Sequence, residues 1–582
     1  MRRFRSVVVA AFCALGAACA TSETAPRAPF SVVEATIPQM QNAMEDGRVT
    51  SRQLVEQYLQ RIGLYEDKLN AVMAVNLKAL DEADRLDQER RQGKIRGPLH
   101  GIPVALKDNI HTADIATTGG AIAFEGLMPP YDATLTTNLR EAGAVIIAKT
   151  VLTELANFVA QGMPGNYSAL GGYGLNPYDA RRDPRTATAD GRPVLNTGGS
   201  SSGIGTAANF WAGNVGTETS GSILSPSNQN MLVGIKPTVG RISRYGVIPI
   251  TADQDTAGPM TRTVTDAAIL LGVLESAKPD SHDTATNTCQ PPPNRDYTPH
   301  LKRDGLKGAR IGIPRAFYYD KLVLPFDRRP RPSTTSGRPE PVEGRGGLNE
   351  GQAKSMAEAI EVLKKEGAVL VDPADIATVV DNDPKNNLLQ WTTCGGNDKK
   401  GADANCSIVF KYGMKRDFNA WLASLGPSAP VKTLSELRAF NLAHANRNAI
   451  KYAQANLDIS DEMDLEKDKA RWEADRAKDI RLAGTEGIEA VMKAQKLDAL
   501  LFPGSSGAGI AAKPGYPTVI VPFGLVAPAP PANAPFPEGF TPKPGPYGVS
   551  FTGMACSEPR LIELAFAFEQ ATKRRVPPSS AP

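Results

Sequence analysis

Short apolar runs alternate with amphipathic stretches along most of the chain. In the first amphipathic stretch the apolar positions recur with a helical period, and Thr50 and Gln53 have the spacing of a capping box. We predict helices over 50–62, 77–91 and 133–142, and strands over 102–106 and 144–148. Short apolar runs between helices are typical of strands that are buried on both faces of a sheet. The pattern therefore predicts a layered α/β fold.

The same alternation continues through the second half of the chain, with two interruptions. Strands are predicted over 310–314, 368–371, 497–502 and 518–521, helices over 357–366 and 558–573, and a proline-rich loop over 527–546. Residues 327–347 are dense in Arg, Pro, Ser and Gly and almost free of apolar side chains, which predicts a mobile surface insert. Residues 433–495 are charged and helical in pattern, which predicts a helical layer or lid over part of the sheet.

Composition narrows the class of protein. With 582 residues, 41% of them apolar, the chain can bury a sizeable core. The 65 Lys and Arg residues against 62 Asp and Glu leave a net charge of only +3, and there is no long basic block, so nucleic acid is not expected as a partner. No group of Cys and His has zinc-ligand spacing, so no metal is predicted.

The N-terminus has the pattern of an export signal. Three arginines precede an apolar stretch over 7–15, and small residues follow over 16–20, which predicts a signal peptide at 1–20 and then a polar tether at 21–34. The apolar stretch is shorter than the roughly 20 residues that span a bilayer, so no transmembrane anchor is expected. Cleavage after Ala20 would release a soluble periplasmic or secreted protein. Lipidation of Cys19 is the less favoured alternative, because Gly16 stands where a branched apolar residue is usual.

Four cysteines remain after the signal peptide, at 289, 394, 406 and 556. They are too few for a disulfide scaffold. Cys394 and Cys406 flank a polar loop and could pair across it in an oxidising compartment, or both could remain thiols.

Two clusters of glycine and serine are the strongest candidates for chemistry. They read Gly-Gly-Ser-Ser-Ser-Gly at 198–203 and Gly-Thr-Glu-Thr-Ser-Gly-Ser at 216–222. The first is no flexible linker, because the helix-forming segment 206–211 follows it, and it lacks the Gly-Lys-Ser/Thr ending of a phosphate loop. Glycines permit strained backbone turns, and such turns often mark functional sites.

Two nucleophile arrangements are possible around the first cluster. The spacing Gly-x-Ser-x-Gly would make Ser201 the nucleophile of an α/β-hydrolase elbow, but the preceding segment 191–196 is a poor strand, and the last histidine, His444, lies within a predicted helix. A lysine base is the alternative. Lys107 ends the buried run 102–106, where burial would lower its pKa, although its amine could instead extend to solvent or pair with Asp108.

The ordered motifs resemble the amidase signature family, over about residues 35–577. These motifs are Gly-Ile-Pro-Val-Ala-Leu-Lys-Asp at 101–108, the two clusters above, extended to Ile223, Val-Gly-Ile-Lys-Pro-Thr-Val-Gly-Arg at 233–241, Asp-Thr-Ala-Gly-Pro-Met-Thr-Arg at 255–262 and Tyr-Gly-Val-Ser-Phe at 547–551. The resemblance implies a single large domain whose central mixed β-sheet is covered by helices on both faces. It also implies a hydrolase that needs no cofactor.

By the same resemblance, Ser222 is the acylated nucleophile and Lys107 is the base. Ser200, which follows a Gly-Ser peptide that is cis in the family, would relay the proton between them. The implied oxyanion hole consists of the backbone N–H groups of Thr219, Ser220, Gly221 and Ser222.

Two features depart from the family pattern. Ser200 and Ser222 are 22 positions apart, about two fewer than the family spacing, and we place the deletion in the helix that follows the first cluster. Ser220 stands where Gly or Asp is usual, but its backbone N–H is retained.

The resemblance implies an exported amidase that converts a small-molecule or peptide amide, such as a peptide C-terminal amide, to an acid and ammonia or an amine. Two alternatives remain. One is an exported binding protein that kept the fold but lost catalysis. The other is the glutamine-hydrolysing subunit of a tRNA-dependent amidotransferase, which export disfavours because that enzyme works in the cytosol.

Overall fold

The computed structural model of the protein describes residues 29–188, 190–327, 344–528 and 534–582. The predicted signal peptide 1–20 with Cys19, the tether up to residue 28, and positions 328–343 of the predicted insert lie outside the described residues. So do positions 529–533 of the proline-rich loop. The predictions made for these segments stay predictions.

Helices and strands alternate through the described chain as the sequence pattern predicts. The α-helices are α1 (Ile37–Glu45), α2 (Ser51–Leu69), α3 (Ala79–Arg91), α4 (Thr134–Glu141), α5 (Ile204–Ala207), α6 (Leu224–Gln229), α7 (Val264–Leu274), α8 (Glu350–Lys365), α9 (Ala377–Val380), α10 (Val409–Ser424), α11 (Leu434–Ala443), α12 (Ala455–Asp461), α13 (Lys469–Ile480), α14 (Glu489–Gln495), α15 (Ala508–Ala512) and α16 (Glu558–Thr572). The strands are β1 (Val72–Val75), β2 (Pro103–Lys107), β3 (Val145–Thr150), β4 (Tyr167–Ser168), β5 (Gly172–Tyr173), β6 (Gly213–Glu218), β7 (Val233–Lys236), β8 (Thr256–Thr261), β9 (Arg310–Gly312), β10 (Val369–Val371), β11 (Thr392–Thr393), β12 (Cys406–Ser407), β13 (Ala499–Pro503), β14 (Thr518–Val526) and β15 (Gly545–Thr552).

Eleven of these strands form one mixed sheet, in the order β1-β3-β2-β6-β8-β7-β14-β15-β13-β9-β10. Strands β3, β2 and β6 are parallel, the strands from β6 through β13 pair antiparallel, and β13, β9 and β10 are parallel again. Helices pack around this sheet, and one large hydrophobic cluster runs through its layers. The structure therefore confirms the predicted α/β fold with a central mixed sheet.

Strand β2 places the candidate lysine. All five of its residues are buried, as the apolar run 102–106 predicts, and it lies parallel to β6 with Leu106 opposite Val215. The carboxyl ends of parallel neighbours meet at the same edge of a sheet, where α/β folds commonly carry their sites. Lys107, the last residue of β2, therefore lies beside Thr217, near the end of β6.

Local signals at the helix starts are confirmed. Thr50 and Gln53 form the predicted capping box of α2, whose helix then continues to Leu69 before Asn70 adopts a left-handed conformation. The charged segment 433–495 is helical, with a π-helical stretch at 481–488 between α13 and α14. Its helices join α10 around a second hydrophobic cluster. Among the described residues, no helix has the length and apolar character needed to cross a membrane.

The helix predicted over 206–211 is wrong. Helix α5 is a single turn that ends at Ala207, and Asn209 has a φ of 59°. The indole of Trp211 packs so closely on Gly205 that a Cβ there would lie 2.2 Å from the ring. The chain therefore turns back and enters β6 directly, and this short connection is where the reduced spacing between Ser200 and Ser222 is absorbed.

Long-range contacts close the domain. Cys394 and Cys406 form a disulfide, the first of the two states that the sequence left open. Cys289 and Cys556, separated by 267 positions, form a second disulfide that the sequence does not predict. The described end of the predicted tether packs on the domain, because Val32 is buried and Glu34 pairs with Arg575 at 2.8 Å.

Candidate active site

Lys107 lies at the centre of the candidate site and is completely buried. Its Nζ lies 2.8 Å from Ser200 Oγ, 2.7 Å from Thr217 Oγ1 and 3.3 Å from the Thr217 carbonyl oxygen. The side chain neither extends to solvent nor pairs with Asp108, the two alternatives that its local sequence left open. Asp108 is instead 3.4 Å from the ammonium of Lys149, the last but one residue of β3.

Burial changes the proton affinity of Lys107. It lowers the pKa of the amine to about 7, because the charged ammonium loses its hydration, while the nearby carboxylates of Asp255 and Glu218 act in the opposite direction. An unperturbed lysine has a pKa near 10.4 and is almost fully protonated at neutral pH. At this position a large share of the amine is neutral at pH 7 and can accept a proton.

Ser200 is buried beside this amine and is held through its backbone. Its carbonyl oxygen accepts a hydrogen bond from the N–H of Thr153 at 3.2 Å. The cis peptide expected before Ser200 is not found, since the only cis bond among the described residues joins Asp372 and Pro373. The turn is made instead by Gly198, which has a φ of 97°, and the trans form is the favoured one for a bond that does not involve proline.

Ser201 has a structural role. Its Oγ donates to the Thr217 carbonyl at 2.9 Å and accepts from the Thr217 N–H at 3.1 Å, so its hydroxyl is engaged on both sides and ties the first cluster to β6. The segment 191–196 forms no strand, apart from an isolated bridge at Pro193. His444 caps the C-terminal end of α11. The hydrolase-elbow arrangement therefore lacks its strand in this structure.

Ser222 lies in a tight turn between β6 and α6. The Glu218 carboxylate accepts hydrogen bonds from the N–H groups of Ile223 at 2.7 Å and Leu224 at 2.9 Å, which fixes the turn from its far side. Gly221 adopts a φ of 96°. Within the described ranges, none of the four N–H groups from Thr219 to Ser222 donates a hydrogen bond to a protein acceptor. These donors are therefore available to an external oxygen.

The two serine clusters are in direct contact. A Cβ built on Gly199 would lie 2.9 Å from Ser222 Cα, and the N–H of Ser201 donates to the Ser222 carbonyl at 3.2 Å. Ser222 is 9% exposed, whereas Ser200 and Lys107 are fully buried. The structure thus arranges a partly accessible serine, a buried serine and a buried lysine in order from the surface inward.

Sequence reasoning missed three side chains of the site. Asn109 donates to Thr217 Oγ1 at 3.1 Å, next to the amine of Lys107. Gln254 and Asp255 both bind Thr219, the first residue of the proposed oxyanion hole. Asp255 belongs to a motif that carries the family resemblance, so a signal was present, but its partner is 36 positions away and only the folded chain shows it.

The arrangement of residues agrees with the comparisons to known proteins. The family model described as Amidase matches residues 53–329. A protein of Arabidopsis thaliana named as a probable amidase is 35% identical over 556 residues, covering 94% of this chain and 92% of that protein. The chain belongs to the amidase family. It is therefore a hydrolase of amide C–N bonds.

Two further comparisons bear on the kind of amidase. The solved peptide amidase of Stenotrophomonas maltophilia has a TM-score of 0.74 and 34% identity, covering 95% of this chain and 100% of that one. A glutamyl-tRNA(Gln) amidotransferase subunit of Syntrophus aciditrophicus is 36% identical over 296 residues, which is 50% of this chain and 56% of that protein. The similarity to the peptide amidase extends over the whole domain, and the similarity to the amidotransferase protein over half of it.

Proposed function

We propose that this amidase hydrolyses C-terminal amides of peptides, through a covalent intermediate on Ser222 that Ser200 and Lys107 activate. The observation that carries the catalytic part is the 2.8 Å contact between the Lys107 amine and Ser200 Oγ, in a fully buried position beside Ser222. A neutral amine has two N–H groups and one lone pair. The two oxygens of Thr217 can receive the N–H groups, which leaves the lone pair for the Ser200 hydroxyl.

Acylation follows from this arrangement. Lys107 Nζ accepts the proton of Ser200 Oγ while Ser200 Oγ accepts that of Ser222, and Ser222 Oγ forms a bond to the amide carbon. The carbonyl oxygen becomes an oxyanion that the free N–H groups of residues 219–222 bind. The C–N bond then breaks, the departing nitrogen takes the proton back through Ser200, and ammonia leaves.

Deacylation uses the same groups in reverse. A water molecule loses a proton to the relay and attacks the ester carbon, the bond to Ser222 Oγ breaks, and the serine recovers its proton. The products are a carboxylic acid and the free enzyme. Each proton therefore passes through Ser200 and Lys107, and no histidine takes part.

The substrate class rests on the extent of the similarity. A peptide amidase aligns with 95% of this chain, whereas the amidotransferase similarity covers half of the chain. Pocket residues come from loops and outer helices as well as from the motif core, so the full-length similarity favours a peptide amide over free glutamine.

The first prediction tests this substrate class. N-acylated dipeptide amides are expected to release ammonia with a kcat/KM about 100-fold above that of free glutamine, because only the peptide fills the sites beyond the amide. The matched control is the same dipeptide with a free carboxylate and an internal asparagine, which is expected to release none. Ammonia from glutamine alone would favour the amidotransferase alternative, and the absence of any amide hydrolysis would favour the binding protein.

We further propose that the protein is exported. The signal-like pattern at 1–20 supports this, as do two disulfides, which persist in oxidising compartments. Full-length protein expressed in a bacterial host is expected in the extracytoplasmic fraction with Thr21 as its first residue. A lipid-bearing Cys19 at the N-terminus would instead identify a lipoprotein, and recovery of intact Met1 protein from the cytosol alone would contradict export.

A further inference from the structure

Thr219, the first residue of the proposed oxyanion hole, is held by two adjacent residues of another loop. Gln254 Nε2 donates to the Thr219 carbonyl oxygen at 3.1 Å, and Thr219 Oγ1 donates to Asp255 Oδ1 at 2.5 Å. All three side chains are buried. The loop that leads into β8 therefore grips both the backbone and the side chain of Thr219.

This loop is itself fixed on several sides. The second carboxylate oxygen of Asp255 accepts from the N–H groups of Ile250 at 2.9 Å and Thr251 at 3.0 Å. The N–H of Ala252 donates to Asp417 of α10 at 2.7 Å, and Trp472 Nε1 of α13 donates to Asp253 at 2.9 Å. The helical layer thus anchors the loop, and the position of Gln254 does not depend on Thr219 alone.

The geometry of a peptide unit makes this grip directional. In a trans peptide, the carbonyl of residue i and the N–H of residue i+1 lie in one plane and point in opposite directions. When Gln254 fixes the direction of the Thr219 carbonyl, it also fixes the direction of the Ser220 N–H, which points away from Gln254. Ser220 is exposed, and its N–H is one of the four that donate to no protein acceptor among the described residues.

We propose that Gln254 is a positioning residue of the oxyanion hole, which with Asp255 orients the Thr219–Ser220 peptide so that the Ser220 N–H faces the reacting carbonyl oxygen. The proposal rests on the function proposed above, since it assigns a role in that same site. A donor that binds the oxyanion, and not the substrate, acts mainly on kcat. Gln254 touches no reacting atom and works only through Thr219.

Gln254 is a cleaner test of this proposal than Asp255. The Asp255 carboxylate raises the pKa of the Lys107 amine, so its removal would change the base as well as the oxyanion hole. Burial also raises the pKa of Asp255 itself, to about 7, so that two groups would be altered in the same pH range. Gln254 is uncharged, and its substitution leaves this pair in place.

The third prediction concerns Gln254→Met, which keeps the length of the side chain and removes the N–H donor. We expect kcat for a peptide amide to fall about 100-fold, with KM unchanged within about twofold and the pH midpoint of kcat/KM unmoved. Affinity for a peptide trifluoromethyl ketone, which forms a tetrahedral adduct, should fall in parallel with kcat/KM. The matched control is Gln454→Met, because Gln454 is also buried and donates to a backbone carbonyl, that of Arg438, in the helical layer.

A second variant protects the test against misfolding. Gln254→Glu has the same size and also lacks the donor, and we expect it to lose at least as much kcat as Gln254→Met. Either folded variant with a kcat within about threefold of wild type would overturn the proposal, as would a loss that the Gln454→Met control shares. Failure of the proposed function is distinguishable, because a serine-reactive fluorophosphonate would then leave Ser222 of the wild-type protein unlabelled.

Discussion

Replacement of Ser222 by alanine is expected to lower kcat for amide hydrolysis by about 10⁶-fold, to a level close to the background rate, because the covalent intermediate can no longer form. Ser222 is the one member of the proposed relay that is exposed to a substrate. Its backbone N–H remains in the variant, so the oxyanion hole keeps all four donors. Ammonia release from a dipeptide amide, followed at substrate concentrations above and below KM, measures the effect.

Two companion variants make the Ser222 result specific. Ser460→Ala removes the hydroxyl of another buried serine, which donates to the Asn456 carbonyl within α12, and is expected to keep wild-type kcat. Ser201→Ala removes the candidate of the hydrolase-elbow arrangement. If Ser222→Ala retained more than about a hundredth of the activity while Ser201→Ala lost it, the assignment of the nucleophile would be wrong.

Replacement of Lys107 by methionine is expected to have the second-largest effect, a decrease in kcat/KM of about 10³-fold, which lies within the range for loss of a general base. Methionine fills the buried space without an amine. In the wild-type enzyme only the neutral amine accepts a proton, and burial lowers its pKa to about 7. Activity should therefore rise as the pH increases through about 7 and be lost below it, where the amine is protonated.

The pH profile and an arginine variant separate a base from a structural cation. kcat/KM measured from pH 5 to 9 is expected to show an acidic limb with a midpoint near 7. Lys107→Arg keeps a positive charge but cannot deprotonate in this range, so it should be about as inactive as Lys107→Met. A flat profile between pH 6 and 8, or an active Lys107→Arg variant, would show that Lys107 acts only through its charge.

The sequence predicts the frame that carries Lys107 but not all of the sheet around it. Strands β2 and β3 are continuous apolar runs, and α2 begins at a capping box, so local pattern and structure agree there. Strand β6, in contrast, reads Gly-Asn-Val-Gly-Thr-Glu, which has low strand propensity. It is a strand because β2 and β8 flank it in the sheet, and a single sequence does not reveal such neighbours.

The same limit applies to the candidate site. The motifs indicate Lys107, Ser200 and Ser222 as its members, and their spacing leaves open how the shorter connection is accommodated. The fold answers this through the close contact between Trp211 and Gly205, which ends α5 after one turn. The hold of Gln254 on Thr219 and the Cys289–Cys556 disulfide depend on segments far apart in sequence, so neither has a local signal.

The central claim is that Ser222 is the residue that becomes acylated. The most direct measurement is the reaction of the folded wild-type protein with a serine-reactive fluorophosphonate, followed by peptide mapping of the adduct by mass spectrometry. The account predicts a single adduct on Ser222, formed faster above pH 7 than below it and absent from Ser222→Ala. An adduct on Ser200 or Ser201, or a folded wild-type protein that does not react, would contradict it.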